Sequence, residues 1–325
     1  MLSDMRFAWR ALFRRPGVPL VIAGLFALSV GLASGMWAVI HAVLLRPLPY
    51  RDGHQLVVIL ETHKERGAMA VTRANFFDWA SRTTTMQDAT GLGGLEASVS
   101  GRGAPVQVIG TKVTERFTDL MGVRPMLGRG LHAEDFRGDG RLVVIGHGLW
   151  TRQFDRDPNA IGARLTIDGQ PYTVAGVMPA DFRMIGNPEL WVPWIMSAEE
   201  RNNRRFHELG ALARLRPGRT VADAQQELTA LYAQLRAEHP DTTAGWSATV
   251  QTLRDLMLGD TRQALLVLAL VIAVLLIVAS INVAGLLRAW LPTRRQEFII
   301  RMAIGASTPR VVRQLLLETL TWAIA

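Results

Sequence analysis

Cysteine is absent from all 325 residues, so no disulfide staples the chain and no thiolate can ligate a metal or attack a substrate. Lysine is nearly absent. Lys64 and Lys112 are the only two and neither follows a glycine, which excludes the glycine-rich loop whose lysine holds a nucleoside triphosphate. The seven histidines are scattered with no His-Glu-x-x-His pair, so the helical zinc-site pattern is missing too. Charge is missing from two places: no Asp, Glu, Lys or Arg occurs in residues 16–45 or in residues 263–287. At about 1.5 Å of rise per residue these stretches reach roughly 45 and 38 Å as helices, enough to cross a hydrocarbon core of about 30 Å. Both read as transmembrane helices. The apolar core of a cleaved signal peptide runs only about 7 to 15 residues, and the flanks of Arg14-Arg15 match a twin-arginine export signal poorly.

The charge that is present sits beside these stretches. The formal net charge is +8, which by itself points to an acidic partner such as nucleic acid. Residues 1–15 carry Arg6, Arg10, Arg14 and Arg15 against Asp4, a net +3, and residues 288–325 carry a net +4. The 217 residues between the apolar stretches balance 26 bases against 25 acids and offer no nucleic-acid surface. Short Arg-rich flanks stay in the cytoplasm, which puts the N-terminus and the segment after residue 287 inside and the large block outside. A block of this size buries enough surface to fold without disulfides, which suits a bacterial periplasm.

Along the chain, Leu2, Met5, Trp9, Leu12 and Phe13 recur at helical spacing beside the arginines, predicting an amphipathic helix on the inner leaflet. Ala27, Gly31 and Gly35 form a small-residue stripe that allows another helix to approach closely. Asn282, an amide at membrane depth, calls for a partner. These four are the expected helix-packing residues. In the outer block, residues 56–60, 106–113, 190–194 and 208–215 read as strands, residues 75–81 as a helix, and Asp168-Gly169-Gln170-Pro171 as the turn of a hairpin joining residues 165–167 to 172–177. Thr220 and Asp223 form a capping pair, with Val221, Ala224, Leu228, Leu231 and Leu235 on one face of the helix that follows. The acid pairs Glu134-Asp135 and Glu199-Glu200 read as solvated faces. Gly146-His147-Gly148 stands where a hydrolase elbow would place serine, but a histidine there reads as a turn or a helix start. No residue is assigned to catalysis, cofactor binding or metal ligation.

The informative polar segment follows the second apolar stretch. Glu297 and Arg301 are four residues apart, an orientation that supports a helix, and Gly305-Ala306-Ser307 ends it before Thr308-Pro309. With Arg294 and Arg295 this makes a short basic helix at the inner leaflet, placed for a cytoplasmic partner to grip. At this point the chain resembles the permease subunits of ABC transporters of the macrolide-exporter and cell-division-permease type, over essentially its whole length. The resemblance is carried by the Arg6 to Arg15 start, Leu44-Leu45-Arg46-Pro47-Leu48-Pro49-Tyr50, Gly122-Val123-Arg124-Pro125, Leu127-Gly128-Arg129-Gly130, His147-Gly148-Leu149-Trp150, Gly176-Val177-Met178-Pro179, and most specifically by Arg294-x-x-Glu297-x-x-x-Arg301-x-Ala303-x-Gly305-Ala306. The Arg46 to Tyr50 phrase is similar to the large, internally duplicated permeases.

The resemblance implies a membrane protein whose transmembrane α-helices bracket a mixed α+β periplasmic domain, and a non-catalytic subunit without cofactor. It also implies a cytoplasmic ABC ATPase partner gripping Arg294, Arg295, Glu297, Arg301 and Gly305, a dimer or pseudo-dimer of permease units in the inner-membrane bilayer, and motion passed to the outer domain. Pro292, which interrupts a normally continuous helix, and Gly285, where a second asparagine is common, depart from the family pattern. The expected organisation is an amphipathic helix over 1–15, a transmembrane helix over 16–45, the outer domain over 46–262, a second transmembrane helix over 263–287, a coupling segment over 288–312 and the start of a third span over 313–325. That last run is too short to cross a bilayer, so the chain reads as the first part of a larger permease. The rival readings are a two-span sensor with a ligand-binding outer domain, a membrane-anchored enzyme and a nonfunctional permease fragment.

Overall fold

A computed structural model of the chain describes residues 17–45, 50–101, 104–259, 261–290 and 292. They divide into two units, a helical one and residues 47–259. In the helical unit α1 (Gly17–Ile40) widens into a π-helical turn, His41–Leu45, and packs against a second long helix, Thr261–Trp290. Both are long and apolar enough to cross a membrane. Their large apolar side chains, among them Leu28, Trp37, Leu270 and Ile281, are exposed, as helices in hydrocarbon require. The second helix is described as far as Trp290, two residues before Pro292.

The other unit is built on one 12-stranded sheet. Its strands are β1 (Leu56–His63), β2 (Gly67–Met69), β3 (Val71–Thr72), β4 (Met86–Ser100), β5 (Val106–Val113), β6 (Leu127–Gly128), β7 (Leu142–Ile145), β8 (Arg164–Ile167), β9 (Gln170–Val177), β10 (Leu190–Pro193), β11 (His207–Leu215) and β12 (Trp246–Thr252). Their order is β12-β1-β11-β4-β5-β10-β7-β9-β6, with β2 on β1, β3 on β11, and β8 pairing β4 and β9. The pairs β5/β10 and β7/β9 are parallel and the others antiparallel. The helices of this unit are α2 (Arg73–Arg82), α3 (Phe117–Met121), α4 (His147–Phe154), α5 (Ala198–Arg201), α6 (Val221–Glu238), α7 (Pro240–Thr243) and α8 (Leu253–Leu258), which makes Thr261–Trp290 α9.

Three apolar cores stabilise the sheet. The first lies between the β1, β11 and β12 strands and α2 and α6, where Ala224, Leu228, Leu231 and Leu235 are buried with Val57, Ile59, Phe76 and Trp79. α6 starts where the capping pair predicts, with Thr220 accepting from Asp223 N and Asp223 answering at Thr220 N. The second core lies on the opposite sheet face and gathers Tyr50, Leu56, Val58, Phe117, Leu120, Phe182, Trp191 and Leu253. The third seals α4 onto β7 and β9 through Val143, Ile145, Leu149, Trp150, Val174 and Val177. The β8/β9 hairpin turns at Asp168 and Gly169, both at positive φ (49° and 77°), the geometry of a type I′ turn.

One expectation changes. Asp135 is not on a solvated face: it is buried in a 3₁₀ turn, Ala133–Phe136, where it accepts a bidentate pair of hydrogen bonds from Arg129 at 2.5 and 2.8 Å and a third from His132 N. That partner lies six residues away, beyond the reach of a pair-counting rule. Glu199 and Glu200 are exposed as expected, and Glu200 also closes a capping box with Ser197. His147 is the first residue of α4 after the β7 strand, a helix start as expected.

Candidate functional site

The chain enters the sheet domain at residues 50–55 and leaves it through α8, and both segments pack into the second core. Each of three consecutive incoming residues is held by a different element. The Tyr50 ring meets Phe182 edge-on at 6.1 Å, and its hydroxyl donates to the carbonyl of Arg183. The aromatic path continues from Phe182 to Trp191 at 5.3 Å and from Trp191 to Phe117 at 6.4 Å, each such pair being worth about 0.5–1.5 kcal/mol. Burial pushes the Tyr50 pKa up to about 12, so the hydroxyl stays a donor.

Arg51 lies against Gly122, the C-cap of α3. Gly122 has φ +63°, and a Cβ there would lie 2.5 Å from Arg51 Cβ, so glycine is needed for both backbone conformation and close approach. Asp52, itself left-handed at φ 46°, turns the chain into a 3₁₀ turn, Gly53–Gln55. Its carbonyl accepts from Gln55 N at 2.8 Å and from Arg214 Nη1 at 3.2 Å.

Arg214 is the least expected member. It projects from β11 into the second core, is 0% exposed, and donates through Nη2 to the carbonyl of Leu120. That carbonyl belongs to the last turn of α3, where main-chain acceptors lack intrahelical partners and the helix dipole is negative. Asp88 stands directly opposite on β4 but pairs with Arg116 at 2.9 Å, and Arg214 forms no ion pair with any described residue. Its Nε has no hydrogen-bond partner. Burial, with Arg51 nearby, lowers its pKa from the ordinary arginine value.

On the outgoing side Thr252 caps α8 by accepting from Asp255 N at 2.9 Å. Leu253 is buried, Leu256 is partly buried, and α8 packs against β1, β12 and the Gly53–Gln55 turn. The incoming and outgoing segments therefore rest on each other and on one core.

Of the residues predicted from sequence, Ala27, Gly31, Gly35 and Asn282 are exposed on their helices, and a Cβ built on Gly31 or Gly35 would meet nothing within 4 Å. The stripe is therefore not what holds α1 to α9. Arg294, Arg295, Glu297, Arg301 and Gly305 lie outside the described residues, as do residues 1–15. Sequence phrases that stood apart are brought together: Gly128 pairs with Gly176 across β6 and β9, where neither has room for a Cβ, and Arg51, which follows the Tyr50 phrase, lies against Gly122. The phrases carried this signal. Arg214 carried none, because an arginine in an apolar strand gives no hint of which carbonyls it will find.

Residues 23–231 match the MacB-like periplasmic core domain, well over half of the chain. The chain belongs to that family. Residues 269–325 of this MacB-like chain match the FtsX-like permease C-terminal domain. It is 29% identical over 224 residues to the macrolide export ATP-binding/permease protein MacB of Burkholderia thailandensis, covering 68% of this chain and 33% of that protein. It is 27% identical over 210 residues to MacB of Neisseria meningitidis serogroup A, covering 63% and 32%. The MacB-like chain thus spans about a third of the length of the curated relatives it matches. A crystallised domain described as part of a permease protein from Porphyromonas gingivalis shares the fold, with a TM-score of 0.51 and 18% identity over 63% of this chain and 93% of that one. The MacB-like chain is a membrane protein in which transmembrane helices bracket a mixed α+β periplasmic domain.

Proposed function

We propose that the chain is the permease component of an ABC-type export or force-transmission system in the bacterial inner membrane. ATP is hydrolysed on the cytoplasmic side by an ATPase subunit, and the permease carries the resulting motion outward instead of catalysing a reaction. The N-terminus and the segment after α9 face the cytoplasm, as their arginines favour. Arg294, Arg295, Glu297, Arg301 and Gly305 form the surface that the ATPase grips, and Ala27, Gly31, Gly35 and Asn282 form packing positions for further helices of a dimeric or pseudo-dimeric bundle.

The observation that carries this reading is the seating of both ends of the sheet domain in one core. Tyr50 arrives there and Leu253 departs from it, so a displacement of either end acts on the packed centre of the domain rather than on a slack linker. The test is to co-purify the chain with its cytoplasmic ATPase subunit. Glu297→Ala and Arg301→Ala are expected to weaken binding of the subunit and to lower its ATP hydrolysis rate. Binding and rate at the unsubstituted level in both variants would show that this segment is not the grip.

A further inference from the structure

We propose that Arg214 is a latch: it fastens the incoming strap, residues 50–52, to β11 and to α3 at the same time, so that motion of the strap is delivered to the sheet rather than absorbed by bending. The latch rests on the permease reading for its purpose, but its geometry stands on its own.

One side chain bridges three elements. Nη1 donates to the carbonyl of Asp52 on the strap, Nη2 donates to the carbonyl of Leu120 at the end of α3, and the Cα belongs to β11, a central strand of the sheet. A folded domain does not need a charge there. The site is fully buried, the guanidinium forms no ion pair among the described residues although Asp52 and Asp88 are near enough to favour its charge, and one of its nitrogens is left without an acceptor. Desolvating an ion for two main-chain acceptors costs stability, and an apolar side chain of similar length would fill the same space among Leu56, Leu120 and Leu212 without that penalty. What an apolar side chain cannot do is hold the Asp52 and Leu120 carbonyls. Without Arg214 the strap keeps Tyr50 and the fit of Arg51 against Gly122, but loses its only side-chain hydrogen bond to β11 among the described residues.

The latch makes a prediction that separates it from an ordinary core residue. In the full chain in nanodiscs, Arg214→Met is expected to leave the thermal midpoint unchanged or raised, yet to speed amide hydrogen exchange at residues 52–55 and 120–122 by roughly tenfold or more, the loss expected for charged hydrogen bonds. Exchange in β5 and α6 is expected to stay as it was. Arg214→Lys, which keeps the charge but reaches with one ammonium instead of a fork, is expected to fall between. Unchanged exchange at residues 52–55 in both variants overturns the latch. If Arg214→Met fails to fold, the Lys variant decides, because a latch requires its exchange to rise locally while its midpoint holds. Adding the co-purifying ATPase subunit and ATP then tests transmission. Wild type is expected to show an ATP-dependent change of exchange in α3 and β11, and Arg214→Met to lose that change while still hydrolysing ATP. If the ATP-dependent change persists in Arg214→Met, the latch does not transmit; if wild type shows no such change, it is the permease reading that fails.

Discussion

Asp135 illustrates how a single carboxylate changes meaning on folding. In sequence it is half of an acid pair on a polar surface. In the structure its side chain is 4% exposed and gripped by Arg129 through two hydrogen bonds. That hydrogen bonding to Arg129 holds its pKa below the ordinary carboxylate value; burial pushes the other way but is outweighed, with help from His132 N. A depressed folded-state pKa gives stability that is present above the unfolded value, about 3.9, and is lost as pH falls through the folded one. Asp135→Asn is expected to lower stability by about 1–2 kcal/mol at pH 7, a value discounted for the 42% exposure of Arg129. As pH falls below the unfolded value and through the lower folded one the difference is expected to shrink, which urea titrations at several pH values would reveal. Glu61 poses the opposite problem for a sequence reader. It follows the apolar run Leu56–Leu60 of β1 and is fully buried, accepting from Asn75 at 2.6 Å, Tyr232 at 2.8 Å and Thr72, with His207 Nε2 at 2.8 Å but poorly aligned for a hydrogen bond. Those partners lie up to 171 residues away, so nothing local could identify them.

At the scale of elements, the exposed side of β12 shows how the sheet ends. Residues 246, 248 and 250 point their main-chain groups away from β1, a row open to pairing with another chain. Side chains of α6 close it: Gln225 accepts from Val250 N at 2.8 Å and donates to the carbonyl of Ala248 at 2.8 Å, and Arg236 donates to the carbonyl of Trp246 at 2.8 Å. Gln225 in effect imitates a neighbouring strand. Gln225→Ala is expected to cost roughly 1 kcal/mol and to increase self-association of the detergent-solubilised chain, read by thermal unfolding and by sedimentation velocity. Helix α6 itself was legible down to its cap, because Thr220 and Asp223 act locally and the buried positions repeat at helical spacing. The hairpin at Asp168-Gly169 was legible for the same reason. Strand β4 was not. Its run from Met86 to Ser100 includes the poor strand formers Gly91, Gly93 and Gly94, of which the first two make sense in the packed sheet: Leu209 lies 2.8 Å from the place a Cβ on Gly91 would occupy and the Trp194 ring 2.5 Å from that on Gly93.

At the scale of the molecule, the orientation drawn from the flanking arginines can be tested cleanly because the chain has no cysteine to give background. A single cysteine at Asp139, on an exposed turn, is expected to react with a membrane-impermeant maleimide in spheroplasts. A single cysteine at Glu297 is expected to react only after lysis. Equal reactivity at both positions in spheroplasts would overturn the orientation.

What the sequence determined by itself follows from properties local to a segment: two uncharged stretches long enough to span a bilayer, charge gathered beside them, turns and caps written in a few consecutive residues, and phrases specific enough to place the family. What only the tertiary structure decided depends on residues far apart in the chain. The burial of Glu61 and Arg214, the pairing of Asp135, the closing of the β12 edge and the meeting of residues 50–52 with Gly122 and β11 all arise when distant segments exclude water together. A buried polar group must take whichever partner the fold brings within hydrogen-bonding distance, and that partner is set by packing rather than by sequence spacing.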